Sequence, residues 1–150
     1  MIHSVTWNID SFGAIVRPFL HDSYLKGLQY YDSNILTIMI HNQFQPAQTS
    51  EITYINLIGI SDMNIENICN RSIISDVYLW KINNLPDGWD VVDSAWKTLF
   101  ADRCRPEDIK EMQKKIVMKK NGLYLVYVEC SYGGAIAVIC ERVEIFKESS

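Results

Sequence analysis

Two nearly continuous apolar segments at the end of the chain constrain its fold more than any other feature. Leu123–Ser131 and Ala135–Phe146 are each of strand length, and they are joined through Tyr132-Gly133-Gly134. Side chains alternate between the two faces of a strand, so a strand that is apolar at almost every position is covered on both faces. The sequence therefore predicts a C-terminal hairpin of central strands in a β-sheet.

Four further segments upstream have the composition of β-strands. One of them alternates Leu36, Ile38 and Ile40 with more polar neighbours, as half-buried strands do. The four segments are Tyr24–Tyr31, Asn34–His41, Glu51–Ile58 and Ile73–Ile82. A less regular strand or turn is expected near residues 12–20, and the polar segment Asn42–Ser50, which contains Pro46, is predicted to be a hairpin loop.

Two short helices are predicted between these strands and the final hairpin. The first covers about residues 94–101, with Asp93 or Ser94 as its N-cap. The second covers about residues 106–117, begins with Pro106 and has apolar residues three and four apart. The sequence thus predicts one α+β domain over residues 1–150, an antiparallel β-sheet or sandwich with two short helices inserted before a C-terminal hairpin.

The charge of the chain argues against nucleic acid and membrane as partners. The net charge is -4, and phosphate or anionic lipid surfaces require clustered Lys and Arg. The segment 103–120 is locally basic, with seven Lys and Arg against three Asp and Glu, but no aromatic side chains are interleaved with its charges. An amphipathic helix whose charges match its dipole accounts for most of this pattern. With no signal-peptide pattern and no apolar stretch of membrane-span length, the expected location is the cytoplasm.

The four cysteines are expected to be reduced thiols. Cys69, Cys104, Cys130 and Cys140 form no C-x-x-C pair, and a cytosolic protein of this length needs no disulfide. A Cys130–Cys140 disulfide across the final hairpin is the alternative. Cys104 lies between two arginines before a predicted helix, which would activate a thiol, although an ordinary turn explains the same pattern and is favoured.

Catalytic and metal motifs are weak. His21-Asp22-Ser23 contains the residue types of a nucleophilic triad, but adjacent residues on a strand point to opposite faces and would not form a dyad. Asp62 and Glu66 would share a face if that segment were helical, and without a nearby histidine they are better explained as solvated. The sequence predicts no catalytic residues, no metal and no cofactor, and it argues against an enzyme without excluding one.

The segment from Leu85 to Trp96 is the strongest candidate for a partner site. It places Asp87, Asp90 and Asp93 close to Trp89 and Trp96. An aromatic anchor ringed by carboxylates suits a basic protein partner, because buried aromatics supply interface energy and acidic rims select the partner. The alternative is structural, with a turn, a helix cap and two core tryptophans.

Three segments carry a resemblance to known proteins. These are Leu20-His21-Asp22-Ser23 leading into a strand, the strand Ile73–Ile82, and Glu129-Cys130-Ser131-Tyr132-Gly133 before the last strand. The chain resembles small, acidic, β-rich bacterial proteins of unassigned function, among which immunity proteins of toxin systems are common. The resemblance implies a protein that neutralises a toxin by covering its surface, without cofactor or catalysis.

Two functional hypotheses follow from the sequence. The first is a non-catalytic protein-binding module, an immunity-type inhibitor of a basic toxin, that binds through Asp87, Trp89, Asp90, Asp93 and Trp96. The second is a small-molecule-binding protein or uncharacterised enzyme with a pocket between sheet and helices. The polar residues of that pocket would be His21, Asp22, Asp76 and Glu129.

Overall fold

The computed structural model describes residues 1–42, 51–69, 72–101 and 103–149. Within them, seven strands form one antiparallel sheet, and two short strands form a second. The strands are β1 (Ile2–Ser4), β2 (Asn8–Ile9), β3 (Ile15–Arg17), β4 (Tyr24–Tyr31), β5 (Ile35–Asn42), β6 (Glu51–Glu66), β7 (Ile74–Lys81), β8 (Tyr124–Cys130) and β9 (Ala135–Ser149). The helices are α1 (Asp90–Phe100) and α2 (Ile109–Lys119), with a 3-10 turn at Pro106–Asp108 before α2. The predicted α+β class with a large antiparallel sheet is confirmed.

The large sheet has the strand order β4-β5-β6-β9-β8-β7, with β1 also paired to β9. One edge of β9 pairs with β6, and its other edge pairs first with β8 and then with β1. The two end strands also meet, because Tyr24 and Ile73 form an antiparallel bridge and the Leu25 amide donates to the Ser72 carbonyl at 2.8 Å. The sheet therefore curls until its ends touch and encloses an interior.

The interior of the curled sheet is filled by alternate residues of its strands. All of them are aliphatic or small sulfur side chains with little or no exposed surface. The main contributors are Leu36, Ile38, Ile40, Ile55, Leu57, Val126, Val128, Ile136, Val138 and Cys140. This is the alternation that the sequence of 34–41 predicts.

A second core lies on the outer face of β7, β8 and β9. There the other set of alternate residues, including Trp80, Leu125 and Ile139, packs against α1. The helix contributes Trp96 and Leu99, which are fully buried. Both faces of β8 and of residues 135–140 of β9 are thus covered, as their continuous apolar sequence requires, whereas Glu141 and Arg142 farther along β9 are exposed.

The first helix begins four residues earlier than predicted. It starts at Asp90 with Trp89 in the N-cap position, so the predicted caps Asp93 and Ser94 lie inside the helix. Asp90 and Asp93 instead place two negative charges in the first turn, where the helix dipole favours them. The prediction of Asp93 or Ser94 as N-cap was wrong.

Strand β6 is longer than predicted. It continues beyond Ile58 to Glu66, past Gly59 with a φ of +71° and a register shift between Ile60 and Asp62. Asp62 and Glu66 therefore lie on a strand, and the helical alternative for this segment was wrong. The loop predicted for Asn42–Ser50 lies outside the described residues except for Asn42, which ends β5.

Cys130 and Cys140 are free thiols at distant points of the β8–β9 hairpin. Cys140 is opposite Tyr124, at the far end of β8 from Cys130. At about 3.3 Å per residue, this separation far exceeds the reach of a disulfide, so the alternative of a bridge is wrong. Burial raises the pKa of Cys130 to about 11 and that of Cys140 to about 12, so both thiols stay protonated at neutral pH.

Candidate functional site

A row of carboxylates crosses the outer face of the sheet next to the second core. Asp76 on β7 lies directly opposite Glu129 on β8, Glu129 is opposite Ala135 on β9, and Ala135 is opposite Glu66 on β6. The three carboxylate residues are partly buried. Like charges placed directly opposite on neighbouring strands are destabilising. The row therefore concentrates negative charge at a cost to the fold.

The pKa values of two of these carboxyls reflect this arrangement. Burial raises the pKa of Asp76, and the charges of Asp10 and Asp22 raise it further, although His21 and a hydrogen bond from the Tyr78 hydroxyl act in the opposite direction. Burial followed by the charge of Asp76 also raises the pKa of Glu129. The neighbouring groups thus compensate only part of the negative charge of the pair.

A series of packed aromatic rings adjoins the carboxylates along β7. Tyr78, two residues along β7 from Asp76, meets the Trp89 ring edge-on, with centroids 5.3 Å apart. Trp89 in turn packs against Phe12, with centroids 4.6 Å apart, and Phe12 is 51% exposed. We call the surface formed by Asp10, Phe12, Asp76, Trp89 and Glu129 the acidic-aromatic face.

The segment that carries Asp10 and Phe12 is fixed to β7 by several hydrogen bonds. The Trp80 indole Nε1 donates to the Phe12 carbonyl at 2.7 Å, and the Leu79 amide donates to the Gly13 carbonyl at 2.8 Å. The Asp10 carboxylate accepts the amides of Phe12 and Ala14 at 2.9 Å and 3.0 Å, which closes the turn. These bonds hold Phe12 beside Trp89 before any partner binds.

The residues of the predicted partner site differ in how far they are exposed. Asp87, Asp90 and Asp93 are exposed, and Trp89 is partly buried against the rings described above. Trp96 is fully buried between α1 and the sheet, so it offers no surface to a partner and belongs to the core.

The residues of the predicted pocket lie beside the partner site. The structure brings His21, Asp22 and Glu129 within electrostatic reach of Asp76. His21 and Asp22 lie in a turn in which Asp22 has a φ of +61°, and His21 Nε2 is 3.5 Å from Asp22 Oδ2. The expectation that they would not pair was wrong because it assumed a strand. The other ring nitrogen of His21, Nδ1, hydrogen-bonds to the Ser75 carbonyl.

The two sets of predicted residues are therefore neighbouring parts of one surface. Sequence reasoning missed Asp10 and Phe12, because no motif marks them. The sequence signal that could have found them is the turn pattern Asp10-Ser11-Phe12-Gly13, whereas the exposure of Phe12 is visible only in the structure.

The described residues contain neither a metal-binding cluster nor a membrane-spanning helix, and no known relative matches the chain. Among the described residues, no three or more His, Cys, Asp or Glu side chains are grouped so that they could bind a metal ion. None of the described helices has the length and apolar character required to cross a bilayer. No family model, curated protein or solved structure matches the chain.

Proposed function

We propose that this protein is a non-catalytic binding module that binds a basic protein partner on the acidic-aromatic face. In this proposal it acts in the manner of an immunity protein that covers the surface of a toxin. The observation that carries the proposal is the opposed pair Asp76 and Glu129, which are partly buried and are connected through Tyr78 and Trp89 to the exposed ring of Phe12.

The physical argument rests on charge that the free protein leaves uncompensated. A Lys or Arg side chain of a partner placed between Asp76 and Glu129 would replace repulsion with charge-assisted hydrogen bonds. Phe12 and Trp89 would supply an apolar anchor next to this contact. Asp87 and Asp90, which flank Trp89 in sequence and are exposed, would add long-range attraction at the rim.

The double substitution Asp76→Asn and Glu129→Gln is expected to stabilise the free protein and weaken partner binding. Removing the repulsion should raise the free energy of unfolding by about 0.5–1 kcal/mol. A destabilising pair of residues at a binding surface is expected where binding requires it, because function often costs stability. Urea unfolding of the variant and the parent measures the difference. As a control, Asp32→Asn with Glu107→Gln makes the same change in net charge at exposed positions elsewhere.

The stability difference is expected to depend on pH. A carboxyl whose pKa is raised by folding favours the folded state when protonated, and this contribution is lost as the pH rises through its folded pKa. The advantage of the double variant should therefore be largest at neutral pH and vanish below the ordinary pKa values of 3.8 for Asp76 and 4.5 for Glu129. An advantage that stays constant from neutral to acid pH would contradict the electrostatic explanation.

Replacing Trp89 with alanine is expected to weaken partner binding by more than about 1 kcal/mol and leave the protein folded. The indole packs on the edge of the second core and is only partly buried, so its removal deprives Phe12 of its support but leaves the fully buried residues of both cores in place. Circular dichroism checks the fold, and titration of the captured partner gives the affinity.

The function itself is tested by capture from a lysate of the source organism with the parent and its variants as bait. We expect the parent to retain a stoichiometric basic partner that salt releases. The Trp89→Ala protein and the Asp76/Glu129 double variant should lose this partner, and the Asp32/Glu107 control should keep it. Equal retention by all four proteins would place the contact elsewhere and refute the proposal.

A further inference from the structure

A cavity of about 260 Å³ lies between α1, α2 and β6, lined by none of the residues of the acidic-aromatic face. Its apolar lining consists of Phe100 from α1 and of Met112 and Ile116 from α2. Phe100 and Ile116 also belong to the second core, so this wall is rigid. The apolar side of the cavity is therefore fixed by the core, whereas Lys115 and Lys119 on its other side are exposed.

The polar lining of the same cavity is mostly cationic. Arg103, Lys115, Lys119 and Lys120 line it together with a single carboxylate, that of Asp62. The sequence of 103–120 is basic, and the structure directs four of its seven cationic residues to this cavity. The positive charge of the segment is thus concentrated at one place.

Asp62 fixes two of these cations and leaves the other two available. Its carboxylate accepts from Lys120 Nζ at 2.7 Å and from Arg103 Nη1 at 3.0 Å. Burial alone would raise the pKa of Asp62, but these hydrogen bonds outweigh burial and hold the pKa below its usual value. Arg103 also donates to the Leu99 carbonyl at 2.9 Å, and its guanidinium lies over the ring of Phe100.

We propose that this cavity binds a small amphipathic carboxylate. The apolar body of the ligand would pack mainly on Met112, above the buried Phe100 and Ile116, and its carboxylate would lie at Lys115 and Lys119. A bare inorganic anion would make no use of this apolar contact, and a cationic amphiphile would meet like charge. Both parts of the ligand are therefore required, as is usual for pockets with an apolar lining and a few placed polar groups. This proposal does not depend on the proposed protein-binding function.

Octanoate is a suitable probe, since it has about ten non-hydrogen atoms and joins a flexible apolar chain to a carboxylate. Calorimetric titration should show saturable binding with a millimolar or tighter dissociation constant. Inorganic phosphate and octylamine, which each lack one of the two features, should bind at least about tenfold more weakly.

The thiol of Cys104 lines the cavity and can report where octanoate binds. The test uses a Cys69→Ser protein, because Cys69 is exposed, whereas Cys130 and Cys140 are buried. Alkylation of Cys104 by neutral iodoacetamide should slow as octanoate saturates, with the same midpoint as the calorimetric titration. Saturation without protection of Cys104 would place the ligand at another site and overturn the proposal.

Adjacent lysines of α2 provide a matched pair of variants. Lys115→Glu should weaken octanoate binding at least about tenfold, because it places a negative charge at the carboxylate position. Lys114 is not among the residues that line the cavity, and its Nζ lies 3.6 Å from Oε1 of Glu111 on the helix surface. Lys114→Glu should therefore change the affinity for octanoate less than about twofold. Equal effects of the two variants, or binding of phosphate as tight as that of octanoate, would refute the proposal.

Discussion

Replacing Trp96 with alanine is expected to lower the free energy of unfolding by about 3–5 kcal/mol. Trp96 has no exposed surface and is the largest of the fully buried side chains. Its ring stacks on Phe100 with centroids 5.9 Å apart and fills the space between α1 and the sheet. Truncation would remove this contact and leave a cavity that rigid strands on one side cannot close.

Phenylalanine at the same position separates packing from polarity. Trp96→Phe keeps a ring against Phe100 and removes the buried Nε1–H, which has no hydrogen-bond partner among the described residues. Removal of an unsatisfied buried donor offsets part of the stability lost with the smaller ring. We therefore expect Trp96→Phe to lower the free energy of unfolding by less than about 2 kcal/mol. Urea unfolding measures both variants. A loss for Trp96→Ala no larger than that for Trp89→Ala would contradict the assignment of Trp96 to the core.

Replacing Gly13 with alanine is expected to destabilise the protein by about 2–4 kcal/mol. Gly13 has a φ of +87°, which side chains disfavour, and a Cβ there would lie 2.4 Å from Cδ1 and Nε1 of Trp80. Trp80 is itself buried in the second core and cannot move away freely. The strand-like segment around Gly13 would have to leave β7, and the hydrogen bond from Trp80 to the Phe12 carbonyl would break.

This variant therefore tests the coupling of fold and binding surface as well as stability. Displacement of Phe12 should expose Trp89 and shift the combined emission of the four tryptophans to longer wavelength. The control is Gly133→Ala, where φ is +91° but nothing lies within 4 Å of the added Cβ, so only the backbone strain of about 1 kcal/mol applies. If the two alanine variants lost the same stability, the contact with Trp80 would not be what requires glycine at position 13.

The strands were predictable where packing follows the local pattern. Tyr24–Tyr31 and the final hairpin could be identified because alternation or continuous apolarity is visible within each segment. The second half of β6 could not, because its outer side chains are polar and find their partners far away in sequence. Asp62 binds Arg103 and Lys120, and Asn64 donates to the Thr98 carbonyl. Such residues look like solvent-exposed positions until the helices are placed.

The candidate surface was predictable only in part, and for a related reason. Trp89 and its neighbouring aspartates form a recognisable segment, whereas the opposition of Asp76 to Glu129 depends on strand register. The partial burial of Trp89 and the complete burial of Trp96 depend on where α1 begins, and the sequence-based prediction placed that start too late. The pairing of His21 with Asp22 depends on turn geometry, because the positive φ of Asp22 lets the two side chains approach each other.

The position of β9 has a consequence for how the chain folds. It lies between β6 and β8 in the sheet, yet it is made after every other strand described here. Until β9 leaves the ribosome, the β4–β5–β6 and β7–β8 groups lack the strand that joins them. Their apolar inner faces then remain exposed. Long-range pairing of this kind folds slowly, because the chain must close large loops before it gains the contacts. The sheet is therefore expected to form fully only after β9 has left the ribosome, with a preceding period in which chaperones have access to β5 and β6.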